Sequence, residues 1–203
     1  MSRDAPARTA ADRVAPLVVI GIGNVLLGDD GFGPNVIGIL QAKWEFPETV
    51  ELIDAGTPGL DLADLLCDRE AVILVDAVTT GGAPGQTRCY RGSELDGVLA
   101  LQPRVSGHDP ALGDALAIAR LAGDGPHEVL LVGVVPEAVA VGVGLSESVA
   151  VAAHTAAETI AAYLAQWTAS PMRRKEVASP THWWARDIDR AAAQNGAAGL
   201  EDG

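Results

Sequence analysis

Cysteine is scarce in this sequence. Only Cys67 and Cys89 occur, and they do not form a C-x-x-C pair. Two separated cysteines do not make a disulfide framework, so we expect the chain to work in a reducing compartment. Each cysteine is predicted to be a small buried side chain, with Cys67 on a helix and Cys89 in a strand.

Positive charge and long apolar runs are lacking as well. The chain has 14 basic against 27 acidic residues and a formal net charge of −13, which makes nucleic acid and anionic membranes poor partners. No apolar run reaches the length of a transmembrane helix. The first fifteen residues contain arginines but no apolar stretch typical of a secretory signal. We therefore expect a soluble cytoplasmic protein that binds neither nucleic acid nor membrane.

The common signatures of hydrolytic sites are also missing. The chain has no G-x-S-x-G elbow, and neither cysteine stands beside a histidine, so a serine or cysteine nucleophile gains no support. It also has no H-E-x-x-H pair, which excludes a zincin-type metalloprotease.

Strand and helix patterns alternate along most of the 203 residues, of which 48% are hydrophobic, enough for one domain with a full core. This alternation predicts an α/β fold with an open, mostly parallel sheet and helices on both faces. The Gly- and Pro-rich run at 79–85 is too short for a crossover helix, so the strand after it is predicted to be an antiparallel edge strand. We expect a disordered N-terminal arm at 1–15, a single domain at 16–168 and a flexible C-terminal extension at 169–203. Strands are predicted at 17–22, 50–54, 71–75, 86–91 and 129–134, helices near 33–44, 60–66, 111–122 and 146–165, and a loop from 92 to 105.

The most informative segment is the glycine-rich run Gly21–Gly33, which follows an apolar strand and precedes an amphipathic stretch. A phosphate cradle at this position requires backbone N–H groups that face an anion. Asp29 and Asp30 would repel that anion, and Leu26 stands where a G-x-G-x-x-G fingerprint requires glycine. The loop is better suited to a cation, which points to a metal.

Three side chains are candidates for the site. Asp30 follows the first strand, Asp76 ends the third, and His108 precedes the 111–122 helix, all at the sheet edge where doubly wound folds gather their ligands. Two carboxylates and one imidazole suit a divalent ion such as nickel or zinc. Each also has a plain structural interpretation. Asp30 could cap the first helix, Asp76 could bond local backbone N–H groups, and His108 could be an ordinary loop histidine.

Several other polar residues have weaker claims. Asp54 at the end of the second strand could orient a ligand or simply form a turn, and Asn24 is predicted to hold the glycine-rich loop through side-chain to backbone bonds. The other histidines, His127, His154 and His182, are predicted to be surface or packing residues.

The chain resembles the hydrogenase maturation endopeptidases, which process the large subunits of nickel–iron hydrogenases. The resemblance covers about 16–165, and its blocks are G-I-G-N-V-L-L-G-D-D-G-F-G at 21–33, D-A-G-T at 54–57, L-V-D-A at 74–77, S-G-H at 106–108, L-G-D-A-L at 112–116 and V-G-V-V-P-E at 132–137. It implies a three-layer α/β/α fold with a five-stranded sheet.

The resemblance also implies an activity, namely removal of a C-terminal peptide from the large-subunit precursor after nickel insertion. Nickel would then be a recognition determinant carried by the substrate, with no tightly bound cofactor. The metal-contacting positions of the family map onto Asp30, Asp76 and His108, which are the predicted catalytic and metal residues. Asp30 stands where many members have Glu, Asp109-Pro110 replaces a more usual Gln or Glu, and the tail beyond residue 170 has no counterpart.

Two other functions remain open from the sequence. A nickel-sensing or chaperone-like maturation factor that does not cut would use the same three residues. A nucleotide enzyme of the Rossmann type is disfavoured by Asp29-Asp30 and by the failed fingerprint.

Overall fold

A computed structural model describes residues 14–101, 112–168 and 171–174. The strands are β1 (Leu17–Ile22), β2 (Trp44–Glu45), β3 (Val50–Gly56), β4 (Ala71–Ala77), β5 (Thr87–Tyr90), β6 (Glu128–Val134) and β7 (Met172–Arg173). Five of them form the main sheet in the order β3-β1-β4-β6-β5, in which β5 alone runs antiparallel to its neighbour. This confirms the predicted mostly parallel sheet with one antiparallel edge strand.

Helices cover both faces of the sheet and complete a three-layer α/β/α architecture. Alternate residues of the central strands point into two separate apolar cores, so that Val19 and Ile73 belong to one and Val18 and Val72 to the other. The first core is closed by α1 and α5, and the second by α2, α3 and α4. The helices are α1 (Phe32–Lys43), α2 (Leu62–Leu66), α3 (Gly92–Leu101), α4 (Leu112–Ala122) and α5 (Glu147–Trp167).

Helix α3 corrects the sequence analysis, which predicted a loop from 92 to 105. Leu95, Val98 and Leu99 are buried at helical spacing and pack into the second core. The pattern was present in the sequence but short, and glycines at 92 and 97 obscured it. Helix α3 packs against β5, β6 and α4.

The cysteines do not match the prediction that both are buried. Cys67 is only partly buried, at the end of α2 rather than within it, and Cys89 is exposed in β5, where its strand assignment is confirmed. Both cysteines are free.

The chain beyond α5 returns to the domain. Met172–Arg173 pairs antiparallel with Trp44–Glu45, and the Arg174 backbone N–H donates to the Lys43 carbonyl at 2.8 Å. The remainder of the predicted extension, like most of the predicted N-terminal arm, lies outside the described residues. None of the helices in the described ranges is long and apolar enough to cross a membrane.

Candidate functional site

The glycine-rich loop brings α1 unusually close to the sheet. A Cβ at Gly33 would collide with backbone atoms of Ile22 and Val75, and one at Gly21 would collide with the Gly33 carbonyl. The glycines therefore allow the first turn of α1 to lie against the carboxyl ends of β1 and β4. This close approach, and not phosphate binding, accounts for the glycines at these two positions.

Asp30 lies in the short 3₁₀ turn Asp29–Gly31 directly before α1. Its Oδ2 accepts a hydrogen bond from the Asn24 backbone N–H at 2.6 Å, and the α1 N-cap is Gly31 without a side-chain cap bond. Asp30 is thus not the cap of the first helix. Asn24 holds the loop as predicted, because its Oδ1 accepts from the Leu26 N–H at 3.0 Å.

Asp76 stands one residue before the end of β4 and is half-buried. Burial, which is the largest cause, and the nearby charge of Asp30 together raise the pKa of its carboxyl to about 8, although a hydrogen bond from the Ala77 N–H acts in the opposite direction. Asp76 thus makes the local backbone hydrogen bond that the structural interpretation predicts. Burial and the charge of Asp30 outweigh that bond in their effect on the pKa, and such a combination is common at functional sites.

Asp29 has a role that the sequence analysis missed. It is only 1% exposed, and its carboxylate accepts hydrogen bonds from Glu137 N at 2.8 Å, Ala138 N at 3.1 Å, Ser146 N at 2.7 Å and Ser146 Oγ at 3.0 Å. Burial alone would raise the pKa of Asp29, but these bonds outweigh it and hold the pKa below its ordinary value. Asp29 therefore clamps the 137–146 loop onto the glycine-rich loop.

The Asp29 clamp also involves the N-cap residue of α5. Ser146 is at the N-cap position and makes no side-chain cap bond, and its hydroxyl donates to Asp29. The one signal of the clamp in the sequence is the pair of adjacent aspartates at 29 and 30, because successive side chains point in different directions and can have different partners.

His108 lies outside the described residues, as does the whole 102–111 segment that joins α3 to α4. The end of α4 is near the start of β4, because the Asp68 N–H donates to the Asp124 carbonyl at 2.9 Å. Leu112 at the beginning of α4 consequently faces the other edge of the sheet, where β1 and β4 end.

Among the remaining candidates, Asp54 is exposed and its Oδ1 accepts from the Gly56 N–H at 3.2 Å, which is the turn-forming alternative. His127 is exposed, and His154 is exposed with its Nδ1 at 3.3 Å from Lys43 Nζ, so both fit the predicted surface role. His182 is outside the described residues. The described ranges contain no group of three or more metal-binding side chains, and they include only two of the three predicted ligands.

The arrangement at this edge suits metal or proton chemistry more than anion binding. Asp30 and Asp76 interact electrostatically, and the raised pKa of Asp76 lets it gain or lose a proton near neutral pH. A divalent cation placed between two such carboxyls would relieve their repulsion and favour the ionised form of both.

Comparison with known proteins gives a uniform result. The family model described as hydrogenase maturation protease matches residues 34–163. The hydrogenase 2 maturation protease of Escherichia coli is 32% identical over 73% of this chain and 90% of its own length. The hydrogenase expression/formation protein HoxM of Azotobacter vinelandii is 37% identical over 60% of this chain, and the match spans only 58% of that relative.

Solved structures show the same likeness. The hydrogenase maturating endopeptidase HybD from E. coli superposes with a TM-score of 0.72 at 31% identity, over 78% of this chain and 97% of that one. The nickel–iron hydrogenase maturation protease HycI from Thermococcus kodakarensis superposes with a TM-score of 0.57 at 25% identity, over 74% of this chain and 93% of that one.

Proposed function

Because this chain belongs to the hydrogenase maturation protease family, we propose that it is an endopeptidase that removes the C-terminal peptide from the precursor of a nickel–iron hydrogenase large subunit. The single observation that carries the proposal is the pair of interacting carboxyls, Asp30 and Asp76, at the carboxyl edge of the sheet. The partner is a nickel-loaded precursor, and neither nucleic acid nor membrane has a part.

Nickel enters this proposal as a feature of the substrate. Asp30, Asp76 and His108 would contact the nickel that the precursor already holds and would complete its coordination with two oxygen ligands and one nitrogen ligand. The contact explains how processing can wait for nickel insertion, since a precursor without the metal offers nothing for these side chains to bind. It also brings the scissile bond beside the carboxyl pair.

The state of Asp76 supports this recognition. In the free protein its pKa is raised to about 8 by burial and by the charge of Asp30. An approaching nickel ion favours the ionised carboxylate, so docking of the loaded precursor would release a proton from Asp76. A precursor without metal leaves Asp76 protonated and unsuited to coordination.

Hydrolysis then requires that a water oxygen bond to the carbonyl carbon, that the C–N bond break and that the leaving nitrogen take a proton. Two groups can activate that water: a carboxylate of the pair acting as general base, or the substrate's nickel acting as a Lewis acid. Asp30, Asp76 and His108 are the catalytic residues under either route, because each would touch the metal or the reacting atoms. We propose the cytoplasm as the location, in keeping with the two free cysteines.

Co-expression with a large-subunit precursor from the same organism tests the function by intact mass. The wild-type protein should shorten the precursor by the mass of its C-terminal peptide. His108→Ala and Asp76→Asn should leave folding intact and abolish the shift, while His127→Ala, at an exposed histidine in the turn before β6, should cleave normally.

Each outcome of that assay has a defined meaning. Normal cleavage by either His108→Ala or Asp76→Asn contradicts the assigned ligands. Precursor that stays full-length with the wild-type protein, yet copurifies with it, would indicate the non-catalytic maturation factor instead.

A further inference from the structure

Exposed aliphatic side chains lie on the loop that carries Asp30 and on the loop that is hydrogen-bonded to it. We define the apolar rim as Leu26, Val139, Val141 and Val143, whose side chains are 57%, 53%, 93% and 50% exposed. Leu26 comes from the glycine-rich loop and the valines from the 137–146 loop, so two distant segments supply one surface. Side chains this exposed contribute little to the core, and their presence needs another explanation.

The two segments of the apolar rim are joined by backbone hydrogen bonds. Gly142 N donates to the Leu26 carbonyl at 3.0 Å, and Gly28 N donates to the Gly142 carbonyl at 2.9 Å. The Asp29 N–H in turn donates to the Ala138 carbonyl at 3.2 Å. These bonds set Leu26 directly against the loop that carries the three valines, only a few residues from Asp30.

The Asp29 clamp fixes this surface in place. Its buried carboxylate bonds both ends of the valine loop, at Glu137 and Ala138 on one side and at Ser146 on the other. A loop whose backbone is tied at both ends has less backbone entropy to lose when a partner covers it. The Asp29 clamp thus restrains the backbone that carries the three exposed valines.

The other exposed aliphatic side chains of the described ranges lie on other elements, among them Leu60, Leu101 and Val151. Of these side chains, only Ile118 and Leu121 share an element, since they lie three residues apart on α4. Leu121 near the end of α4 is 90% exposed, much like Val141, but lies at the opposite edge of the sheet. Leu121 is therefore as exposed as Val141 but lies far from the apolar rim, which makes it a suitable control.

We propose that the apolar rim is the docking surface for the protein substrate, and that it covers an aliphatic face of the hydrogenase large-subunit precursor when Asp30 and Asp76 reach its nickel. The inference rests on the proposed function, since the occupant is the substrate of that site. Asp30 and the apolar rim belong to the same hydrogen-bonded pair of loops, so a protein that reaches Asp30 also meets the rim.

The test compares Val141→Asn with Leu121→Asn, which place the same uncharged polar group at two equally exposed positions. Binding of purified nickel-loaded precursor is measured by titration and its cleavage by intact mass. Val141→Asn should weaken binding and raise KM about tenfold, as expected for losing the burial of one valine. The value of kcat should stay within about twofold of wild type. Leu121→Asn should match wild type, and Val141→Ile, which keeps the apolar contact, should bind normally.

The outcomes separate the rim from the function. Equal affinities of the Val141→Asn and Leu121→Asn variants for the precursor would contradict the docking role of the apolar rim. Cleavage by the wild-type protein would still support the protease function in that case. A wild-type protein that binds the precursor but never cuts it would contradict the protease function. The ratio of the affinities of the two asparagine variants would then still test the docking role of the apolar rim. A fall in kcat without a change in KM would mean that Val141 acts on the chemistry and not on docking, which also overturns the proposal.

Discussion

Replacing Asp29 by Asn should destabilise the domain although the two side chains have nearly the same shape. The carboxylate accepts four hydrogen bonds, two of them from the Ser146 N–H and hydroxyl. An amide has a single oxygen, so its NH₂ group must face at least one of the backbone N–H donors. The shortest of the hydrogen bonds from these donors is that from Ser146 N, at 2.7 Å. One bond to a charged acceptor is lost, and one buried N–H is left without a partner.

The size of the effect follows from those two losses. A hydrogen bond to a charged group contributes about 1.5–3 kcal/mol, and a buried unpaired donor costs about 1–3 kcal/mol. We therefore expect Asp29→Asn to lower the free energy of unfolding by about 3–5 kcal/mol, a large part of the roughly 5–15 kcal/mol typical of a domain. Urea unfolding at neutral pH should show a lower midpoint with an unchanged slope.

Asp54→Asn provides the matched control, because Asp54 is exposed and makes one local bond to Gly56 N. Its cost should be below about 1 kcal/mol. Acid adds a second check. The pKa of Asp29 is lowered on folding, so its stabilisation is complete above the unfolded pKa near 3.9 and is lost as the pH falls through the folded value. The difference in the free energy of unfolding between wild type and Asp29→Asn should become smaller below about pH 4. A difference under about 1 kcal/mol at neutral pH, or one that does not become smaller in acid, would refute the stabilising role of the Asp29 clamp.

Two further predictions concern the carboxyl pair and its loop. The pKa of Asp76 is raised on folding to about 8, so the free energy of unfolding of the wild type should fall as the pH rises from about 4 to about 8. Asp76→Asn does not ionise and should therefore be the more stable protein at pH 9. Parallel curves of stability against pH for the two proteins would contradict this. Gly23 has a φ of 130°, and a Cβ there would collide with the Asp30 carbonyl, so Gly23→Ala should lower both the melting temperature and the cleavage rate. Gly81→Ala, where a Cβ meets open space, should change neither, and equal behaviour of the two alanine variants would show that the loop tolerates movement of Asp30.

Much of the fold could be predicted from the sequence because its signals are local. The continuously apolar runs of β1 and β4 identify strands covered on both faces, and the short glycine-rich gap before β5 excludes a parallel crossover. Helix α3 escaped detection because its apolar stripe is three residues long and glycines interrupt it. Cys89 was predicted to be buried although its strand was predicted at the sheet edge, because the cover that other elements give each side chain of that strand is a property of the assembled fold.

The site divides in the same way. The positions of Asp30 and Asp76 followed from the rule that doubly wound sheets gather ligands at the carboxyl ends of their strands. Their interaction did not follow, because the raised pKa of Asp76 arises from burial and from a charge that lies far away in the sequence. Nor did the Asp29 clamp, whose partners at 137, 138 and 146 are separated from it by more than a hundred residues.

The most direct test of nickel recognition is to give the purified protein two samples of the same large-subunit precursor, one loaded with nickel and one without metal, and to follow both by intact mass. We predict that the loaded precursor loses its C-terminal peptide and that the metal-free precursor stays full-length, with Asp76→Asn unable to cut either. Equal cleavage of both samples by the wild-type protein would contradict recognition of the substrate through its nickel.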